Sequence, residues 1–420
     1  MKTFKFYTLG CKVNQYETQL ILEELLRAGL KEANSNTPAD LYIVNTCTVT
    51  ASADRESRRF IRHSIKENPK ATIVAAGCYV EKDADIIKEI DDKIIILPNK
   101  DKGKIGTVPV FADIVTKAKT GQSPFFITHF YGHTKAFIKI QDGCDNFCSY
   151  CKVPYVRGAP KSREKQEIIH EAKSLLKNNY KELVLSGICL GAYGKDLDTT
   201  IALADILIAI VSFDGDFRIR LSSVQLQDIT EDLIDVIKNH NKICNHLHIP
   251  LQSGDDEILR KMNRKYSSDE FIEKIKKIKK AIPGIAISTD VIVGFPGETD
   301  EAFKNTLKCI KKIEPMRTHI FSYNKRKGTN AFNLGPDVNK DNIKQRYTIL
   351  KKLTDALARS YIERSKSRPQ PILVENTRDK KTGKLCGYTD TYIKLTFPGP
   401  DEWMGKFIKI GTDANFSLLQ

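Results

Sequence analysis

The sequence lacks the features that mark membrane, secreted and repetitive proteins. No stretch approaches the roughly 20 apolar residues that a membrane-spanning helix needs. The N-terminus, Met1–Phe6, has no apolar signal region ahead of a small-residue cleavage site. There is no internal repeat and no long low-complexity tract. We therefore expect a cytoplasmic protein without a membrane partner, in a compartment where structural disulfides are rare.

Against these absences, the chain has ten cysteines and a large positive charge. Its 420 residues fit two or three domains. There are 67 Lys and Arg against 52 Asp and Glu, a net charge of +15. This excess favours a polyanionic partner such as nucleic acid, although charge alone cannot name it. Clustered cysteines in a cytoplasmic protein bind metal or take part in chemistry more often than they form disulfides.

Hydrophobic patterning predicts an α/β chain. Strand and helix patterns alternate over the first hundred residues, which predicts a parallel sheet with helices on its faces. Residues 99–130 break this rhythm and are expected to form a connection. About six further β/α units follow up to Tyr323. They fit a partial (β/α)6 barrel, and a doubly wound sheet is the alternative.

The C-terminal part has a different pattern. A long helix over Asn342–Arg364 is predicted to end the central domain. Three β-rich pieces then follow among turn residues, at Ile372–Val374, Tyr388–Phe397 and Phe407–Ile410. Residues 366–420 carry nine Lys or Arg and six Asp or Glu. We therefore expect this tail to be a small, basic and separable β-barrel.

One set of three cysteines lies within eight residues on a loop after a predicted strand: Cys144, Cys148 and Cys151. We call them the SAM-motif cysteines, for the reason given at the end of this paragraph. The compartment disfavours a disulfide, a zinc site would need a fourth ligand from elsewhere, and a regulatory dithiol needs only two thiols. Three thiolates suit a four-iron cluster because they leave one iron with an open position. The C-x3-C-x2-C spacing is that of the radical S-adenosylmethionine (SAM) motif, in which the open iron holds SAM.

A second set of three cysteines is spread along the first part of the sequence: Cys11, Cys47 and Cys78. We call them the N-terminal cysteines. Each follows a predicted parallel strand, and loops beyond the carboxyl ends of parallel strands converge at one edge. Three thiolates meeting there would be able to ligate a second cluster. Three unrelated buried cysteines are an equally good interpretation, because free cysteine is often a small core residue.

Several segments resemble the radical SAM methylthiotransferase family: Thr8–Thr18, Asn45–Thr50, Ala76–Cys78, Cys144–Arg163, Leu221–Ser223, His246–Gly254 and Asp290–Thr299. The tail resembles a TRAM domain, a small RNA-binding β-barrel. The resemblance covers essentially the whole chain. It implies a methylthiotransferase N-terminal domain over residues 1–112, a radical SAM core over 130–362 and a TRAM domain over 365–420.

The resemblance implies an enzyme that uses SAM and two [4Fe–4S] clusters. The SAM-motif cysteines would hold the radical SAM cluster and the N-terminal cysteines an auxiliary cluster. One SAM would methylate a sulfur on the auxiliary cluster, and a second, cleaved at the other cluster, would give the radical that activates C2 of an adenine. The implied partners are the anticodon stem-loop of tRNA and an external electron donor, with the chain acting as a monomer.

The segment Thr8–Gln15 is most similar to the family branch that acts on N6-threonylcarbamoyladenosine at position 37 of tRNA. Isopentenyladenosine in tRNA and an aspartate of a ribosomal protein are alternative targets within the family. A non-catalytic, metal-dependent RNA-binding protein is the alternative outside it. No catalytic residue beyond the cluster ligands is assigned.

Three further residues are predicted to contact SAM: Tyr150, Ser223 and Gly294. Tyr150 precedes the last cysteine of the SAM motif, and packing beneath the loop is its alternative role. Gly294 ends a predicted strand, where glycine lets the backbone approach a ligand.

Other residues near these motifs have open roles. Gln225 stands where family members commonly have the glutamate of Ser-Ser-x-Glu-Pro, so a charged role there is in doubt. Cys189 follows a barrel strand, where it approaches the active site or fills a small space. His246 and His248 face one side of a strand, and we favour a hydrogen-bonded pair over a place beside SAM. Arg157 and Arg163 are expected either to hold a phosphate or carboxylate or to be solvated. The remaining three cysteines are expected to be structural: Cys244, Cys309 and Cys386.

Overall fold

The computed structural model describes residues 2–34, 36–102, 126–366, 370–409 and 415–417. Most of the predicted connection over 99–130 therefore lies outside the described residues. The chain divides into two compact units. The first contains Met1–Tyr131 and two short later segments, Asp142–Asp145 and Cys151–Ala159, and the second contains the rest. The three-domain division stays a prediction.

A five-stranded parallel sheet is the framework of the first unit. Its strands are β1 (Thr3–Thr8), β2 (Lys31–Glu32), β3 (Leu41–Thr46), β4 (Thr72–Gly77) and β5 (Ile95–Leu97). They lie in the order β2-β1-β3-β4-β5, which is that of a doubly wound α/β sheet. Three of these strands are followed by helices: α1 (Lys12–Arg27), α2 (Ala51–Glu67) and α3 (Val80–Lys88). The predicted alternation of strands and helices is confirmed.

The central strand β3 is buried along its whole length because both faces of the sheet are covered. Leu41 and Ile43 pack into one hydrophobic cluster, and Tyr42 and Val44 pack into another. Alternate residues of a strand point to opposite faces, so a continuous apolar run serves both layers.

Six parallel strands form the framework of the second unit: β6 (Ala136–Lys139), β9 (Glu182–Ser186), β10 (Arg218–Leu221), β11 (His246–His248), β12 (Ala286–Val293) and β13 (Arg317–Ser322). Two short strands, β7 (Gln141–Asp142) and β8 (Lys161–Ser162), fall between β6 and β9 in the chain. Bridges from Ile219 to Ile243 and from Ser223 to His248 join β10 to β11. The six strands therefore follow one another in chain order without a reversal. This order supports the partial barrel over a doubly wound sheet.

Helices follow the strands along this part of the chain: α4 (Val153–Arg157), α5 (Lys165–Lys177), α6 (Leu203–Val211), α7 (Glu231–Asn239), α8 (Asp256–Lys261), α9 (Ser268–Ala281), α10 (Asp300–Ile313) and α11 (Lys340–Ser365). Short 3-10 turns lie at Leu190–Ala192, Leu226–Asp228, Asn330–Asn333 and Asp401–Trp403. Side-chain N-caps begin five of these helices, from Thr230, Asp255, Ser267, Thr299 and Asn339. Within the described ranges, no helix combines the length and the apolar character needed to cross a bilayer.

The tail forms an antiparallel sheet in the order β17-β14-β15-β16-β18. Its strands are β14 (Pro371–Val374), β15 (Leu385–Tyr388), β16 (Lys394–Phe397), β17 (Phe407–Lys409) and β18 (Asn415–Ser417). The β-rich piece predicted over Tyr388–Phe397 contains the end of β15, a turn and all of β16. The chain turns back there, with Tyr392 at a φ of 69° and the amide of Thr389 donating to the carbonyl of Ile393. The strand-rich tail is consistent with the predicted TRAM-like domain.

The tail packs against the barrel through a shared hydrophobic cluster. Ile372, Val374 and Phe397 share one hydrophobic cluster with Met316 and Tyr361, which belong to the barrel and to α11. Removing the tail would therefore expose apolar surface of the central part of the chain.

A buried ionic group reinforces this attachment. Glu182 of β9 accepts from Arg218 Nε at 2.6 Å and from Arg220 Nε at 2.8 Å. The same two guanidinium groups donate to four tail carbonyl oxygens, those of Pro371, Tyr388, Thr389 and Asp390. All three charged side chains are at most 5% exposed. The tail backbone thus satisfies donors that the barrel alone leaves unpaired.

Candidate metal centres and active site

The N-terminal cysteines meet at the carboxyl edge of the five-stranded sheet. Cys11 is the N-cap residue of α1, directly after β1, while Cys47 and Cys78 follow β3 and β4. These three strands are neighbours, and Thr46 pairs with Gly77 in the register. All three thiols are free of disulfides. The structure therefore brings the set together as the strand argument predicted.

Two glycines allow this convergence. Gly10 has a φ of +93°, and a Cβ added there would lie 2.8 Å from the Sγ of Cys47. Gly77 has a φ of +97°, and its Cβ would lie 2.2 Å from the carbonyl oxygen of Thr46. Any larger residue would push the cysteine loops apart and strain the backbone.

The environment of Cys47 disfavours ionisation of its thiol without a cationic partner. Burial, together with the nearby thiols of Cys78 and Cys11, raises the pKa of Cys47 to about 11. The amide of Val49 donates to Cys47 Sγ at 3.5 Å, which works in the opposite direction. Iron would supply the positive charge that holds three adjacent thiolates, so the donor set fits a cluster.

Arg157 is the buried cation beside this edge. Its side chain is 1% exposed, and its Nε donates to Cys78 Sγ at 3.2 Å. The other guanidinium nitrogens donate to Glu17 at 2.7 Å, to Asp142 at 3.0 Å and to the Oδ1 of Asn14 at 2.5 Å. Arg157 is therefore not solvated. It holds carboxylates of the protein itself and one thiol of the cysteine set.

A second buried cation, Lys102, was not anticipated. Its Nζ lies 2.7 Å from Glu17 and 2.9 Å from Asn45 Oδ1, and the side chain is 2% exposed. Asn14 donates to the carbonyl oxygens of Leu9 and Thr46, which ties together the loops that carry Cys11 and Cys47. The sequence did carry a signal for the pairing of Asn14 with Glu17 in this polar group, because residues i and i+3 lie on the same face of a helix. Nothing in the local sequence marks Lys102.

The loop with the SAM-motif cysteines is divided between the two units. Cys144 and Cys151 segregate with the first unit and Cys148 with the second. In the first unit, the amide of Cys144 donates to the carbonyl of Gly158 at 3.0 Å, and the amide of Val153 donates to Cys151 Sγ at 3.4 Å. None of the three forms a disulfide.

In the second unit, the turn after α8 holds the middle of this loop. Asn263 donates to the carbonyl oxygens of Asn146 and Phe147, and the amide of Ser149 donates to the carbonyl of Met262. The guanidinium of Arg264 reaches Cys148 Sγ at 3.6 Å. The local sequence carried no signal for this support.

The three predicted SAM contacts lie in different settings. Tyr150 is half-buried against the apolar cluster that includes Phe295, with ring centroids 6.5 Å apart. Ser223 follows β10 and bridges to His248 at the carboxyl end of the strands. Gly294 has a φ of 78°, its amide donates to Glu298 at 2.7 Å, and a Cβ there would meet Ile343 at 2.4 Å.

Cys189 and Gln225 belong to one polar contact chain. Cys189 is buried, and its Sγ accepts from Gln225 Nε2 at 3.4 Å and lies 3.7 Å from Asp228. Arg264 donates to Gln225 Oε1 at 3.2 Å, so Gln225 links Cys189 to the arginine that contacts Cys148. A neutral amide can donate to one neighbour and accept from the other, which a carboxylate cannot do.

The histidines on β11 form a hydrogen-bonded group, as we favoured. Ser288 Oγ lies 2.9 Å from both His246 Nε2 and His248 Nδ1. His248 Nε2 lies 3.1 Å from Asp290, and the ring of His319 is 5.6 Å away. This polar group lines one face of strands β11, β12 and β13.

Comparisons with known proteins agree with these features. Residues 138–310 match the family model described as Radical SAM superfamily, and residues 3–97 match Uncharacterized protein family UPF0004. A Bacillus subtilis protein named Threonylcarbamoyladenosine tRNA methylthiotransferase MtaB is 37% identical, covering 98% of this chain and 93% of that protein. A Clostridium tetani protein named tRNA-2-methylthio-N(6)-dimethylallyladenosine synthase is 36% identical, covering 99% and 95%.

Solved structures show the fold. The radical SAM methyltransferase TsrM from Kitasatospora setae superposes with a TM-score of 0.55 at 14% identity, over 76% of this chain and 73% of that chain. The cobalamin-dependent radical enzyme OxsB gives a TM-score of 0.55 at 10% identity, over 85% and 56%.

Proposed function

The chain belongs to the radical SAM methylthiotransferase family, and on that premise we propose that it methylthiolates C2 of N6-threonylcarbamoyladenosine at position 37 of tRNA. The predicted family, enzyme class and cofactors, SAM and [4Fe–4S] clusters, are confirmed. The RNA, the adenosine derivative and the residues with which the chain binds its cofactors are parts of the proposal.

One observation carries the choice of substrate. The 37% identity to the Bacillus subtilis protein spans nearly the full length of both chains, and that protein's name specifies threonylcarbamoyladenosine. The Clostridium tetani protein, at 36% identity, keeps dimethylallyladenosine as the second candidate. The segment Thr8–Gln15 resembles the first branch more closely, which supports the threonylcarbamoyl derivative.

We assign one cluster to the N-terminal cysteines and one to the SAM-motif cysteines. Three thiols in each set leave one iron of a four-iron cluster available to another ligand. When bound, these groups supply an electron for SAM cleavage and a site that carries the sulfur to be transferred. Tyr150 and Ser223 are our proposed SAM contacts. Gly294 is a third proposed SAM contact, through its carbonyl oxygen, because its amide already donates to Glu298.

The buried charges of the first unit prepare the N-terminal cysteines for metal. Arg157 donates to Cys78 while its carboxylate partners hold the guanidinium in place. Lys102 neutralises Glu17 from the other side. These contacts fix the edge before any metal binds, so little conformational entropy is lost on loading.

The net charge of +15 supports an RNA partner, since Lys and Arg that neutralise phosphates give salt-dependent affinity. Bases in a single-stranded loop are then read by stacking and by contacts to their edges. We propose the anticodon stem-loop as the bound part, a chain that acts as a monomer, and an external protein or small molecule as electron donor.

The experiment compares two RNA substrates. Anaerobically reconstituted holoenzyme with SAM, sulfide and a reductant is incubated with anticodon stem-loops that carry threonylcarbamoyladenosine or isopentenyladenosine. Nucleoside mass spectrometry is expected to find the methylthio product of the threonylcarbamoyl loop only. Product from the isopentenyl loop alone would replace our substrate with the second candidate. No product from either loop, with methylthioaspartate in ribosomal protein, would move the activity to a protein substrate.

A further inference from the structure

A cavity of about 750 Å³ lies along β13 in the second unit. Its walls come from β13, α11 and the turn before β16, and they include Arg317, His319 and Tyr392. β13 ends the row of six barrel strands, so the cavity adjoins the histidine group described above. Its lining is about equally polar and apolar, and it includes four cations: Arg317, Lys351, Arg359 and Lys394.

Two of these cations have no ion-pair partner among the described residues, and of the two Arg317 is half-buried whereas Arg359 is exposed. Lys351 pairs with Asp355 at 2.5 Å, and Lys394 pairs with Asp379 at 2.8 Å. The side chain of Arg317 makes neither a hydrogen bond nor an ion pair with any described residue, although its backbone belongs to the β12–β13 ladder. A guanidinium stays protonated in proteins, and a partly buried charge without a partner costs free energy. An anionic ligand would remove that cost.

We propose that Arg317 binds the carboxylate of the threonylcarbamoyl group, an inference that rests on the proposed function. This group adds a carboxylate, a hydroxyl and a urea to adenine N6, whereas dimethylallyl adds only an apolar chain. Arg317 pairs well with the first group and would stay unpaired against the second. A site whose buried polar groups lose their partner rejects the wrong substrate strongly.

The dimensions agree with this assignment. From Arg317 to Ser322, β13 rises by roughly 17 Å at about 3.3 Å per residue. Chemistry in β/α barrels takes place at the carboxyl ends of the strands. Eight bonds of about 1.4 Å separate adenine C2 from the carboxylate, which places the carboxylate roughly 10 Å deeper. That depth corresponds to His319. Arg317 lies two residues closer to the amino end of β13, and its side chain is long enough to reach the same level.

A backbone phosphate is the other anion that an RNA brings to Arg317. The test uses stem-loops with threonylcarbamoyladenosine, isopentenyladenosine or unmodified adenosine at position 37. Fluorescence anisotropy gives their Kd for the holoenzyme, and turnover gives kcat/KM. For Arg317→Gln we expect affinity for the threonylcarbamoyl loop to fall about 10- to 100-fold, the range for a charged hydrogen bond. Affinity for the other two loops should change less than about twofold.

Two further variants control this measurement. Arg359→Gln removes the same charge from the exposed rim of the cavity, and it should affect all three loops equally and weakly. Arg317→Lys keeps the charge but loses the two-pronged contact, so it should show an intermediate loss for the threonylcarbamoyl loop alone. Circular dichroism checks the folding of each variant, and Arg317→Lys carries the test if Arg317→Gln misfolds.

Four outcomes would overturn the inference. Equal weakening of all three loops in Arg317→Gln would assign the residue to a phosphate, and unchanged affinity for all three would remove it from RNA binding. Selective weakening by Arg359→Gln would move the carboxylate site to the rim. If the unmutated enzyme modifies only the isopentenyl loop, the proposed function itself fails. If it modifies the threonylcarbamoyl loop and Arg317→Gln does so equally well, only this inference fails.

Discussion

Replacing Arg157 by methionine tests whether the protein edge around the N-terminal cysteines depends on this one cation. The substitution keeps an unbranched apolar stem, shortens the side chain, and removes its contacts with Glu17, Asp142, Asn14 and Cys78. Removing one partner of a buried ion pair costs about 3–5 kcal/mol. Glu17 keeps Lys102, and Asp142 is 26% exposed. We therefore expect the lower end, about 3 kcal/mol.

The assay is native-state hydrogen exchange of α1 in the apoprotein. A loss of about 3 kcal/mol corresponds to roughly 100-fold faster exchange of amides that are protected by this unit. Iron counting after a chelator challenge of the reconstituted enzyme is the second readout, and the variant should lose iron faster. Arg157→Lys keeps the charge without the forked geometry and should fall between the two proteins.

The control is Arg364→Met. Arg364 pairs with Glu314 at 3.4 Å, and both side chains are about half exposed, so its loss should change stability by less than about 1 kcal/mol. The reasoning would be refuted if Arg157→Met exchanged within twofold of the unmutated protein and retained the same iron. In that case the carboxylates around Arg157 would be solvated well enough without it.

Three other predictions follow from the same features. Cys47→Ser should lower bound iron from about eight to about four per chain after reconstitution, whereas Cys244→Ser, outside both sets, should leave it unchanged; equal iron in both would remove Cys47 from the ligands. Burial raises the pKa of Glu24 to about 7 from 4.5, so folding favours its protonated form and the unfolding free energy falls as pH rises from about 4.5 to 7. Glu24→Gln should then be more stable by about 1 kcal/mol at pH 8, allowing for solvent screening, and equal at pH 4 in chemical unfolding; a stability loss at pH 8 would contradict this. Glu182→Gln leaves Arg218 and Arg220 without their carboxylate and should cost about 3 kcal/mol or more, and a thermal midpoint equal to that of the unmutated protein would show that the tail carbonyls suffice.

The sequence predicted the regular elements well because their apolar residues repeat with the period of a helix or a parallel strand. The convergence of the N-terminal cysteines followed from the same logic, since neighbouring parallel strands end at one edge. β2 and β5 have two and three residues, too few for a period to show. The break at Tyr392 was missed because aromatic and β-branched residues continue through the turn, and only the backbone conformation reveals it.

The polar partners of the site were beyond sequence reasoning for a different reason. Arg157 lies 140 residues from Glu17 in the chain, and Lys102 lies 85 residues from it. No local pattern records which distant carboxylate a cation meets. Gln225 illustrates the same limit. A glutamine in place of the family's glutamate suggested the loss of a charged group. In the structure Cys189 accepts from this side chain and Arg264 donates to it, and an amide can serve both.

The dependence of Arg218 and Arg220 on tail carbonyls has a consequence for how the chain is made. Their partners lie about 150 to 170 residues later in the sequence. During synthesis the barrel strands therefore emerge from the ribosome with two guanidinium groups that have no final backbone partners until the tail strands have also been made. A truncated chain without the tail would leave Arg218 and Arg220 without these acceptors, at a point far in sequence from the missing residues. Cellular quality control would then remove it as a misfolded protein, not as a shortened enzyme with weaker RNA binding.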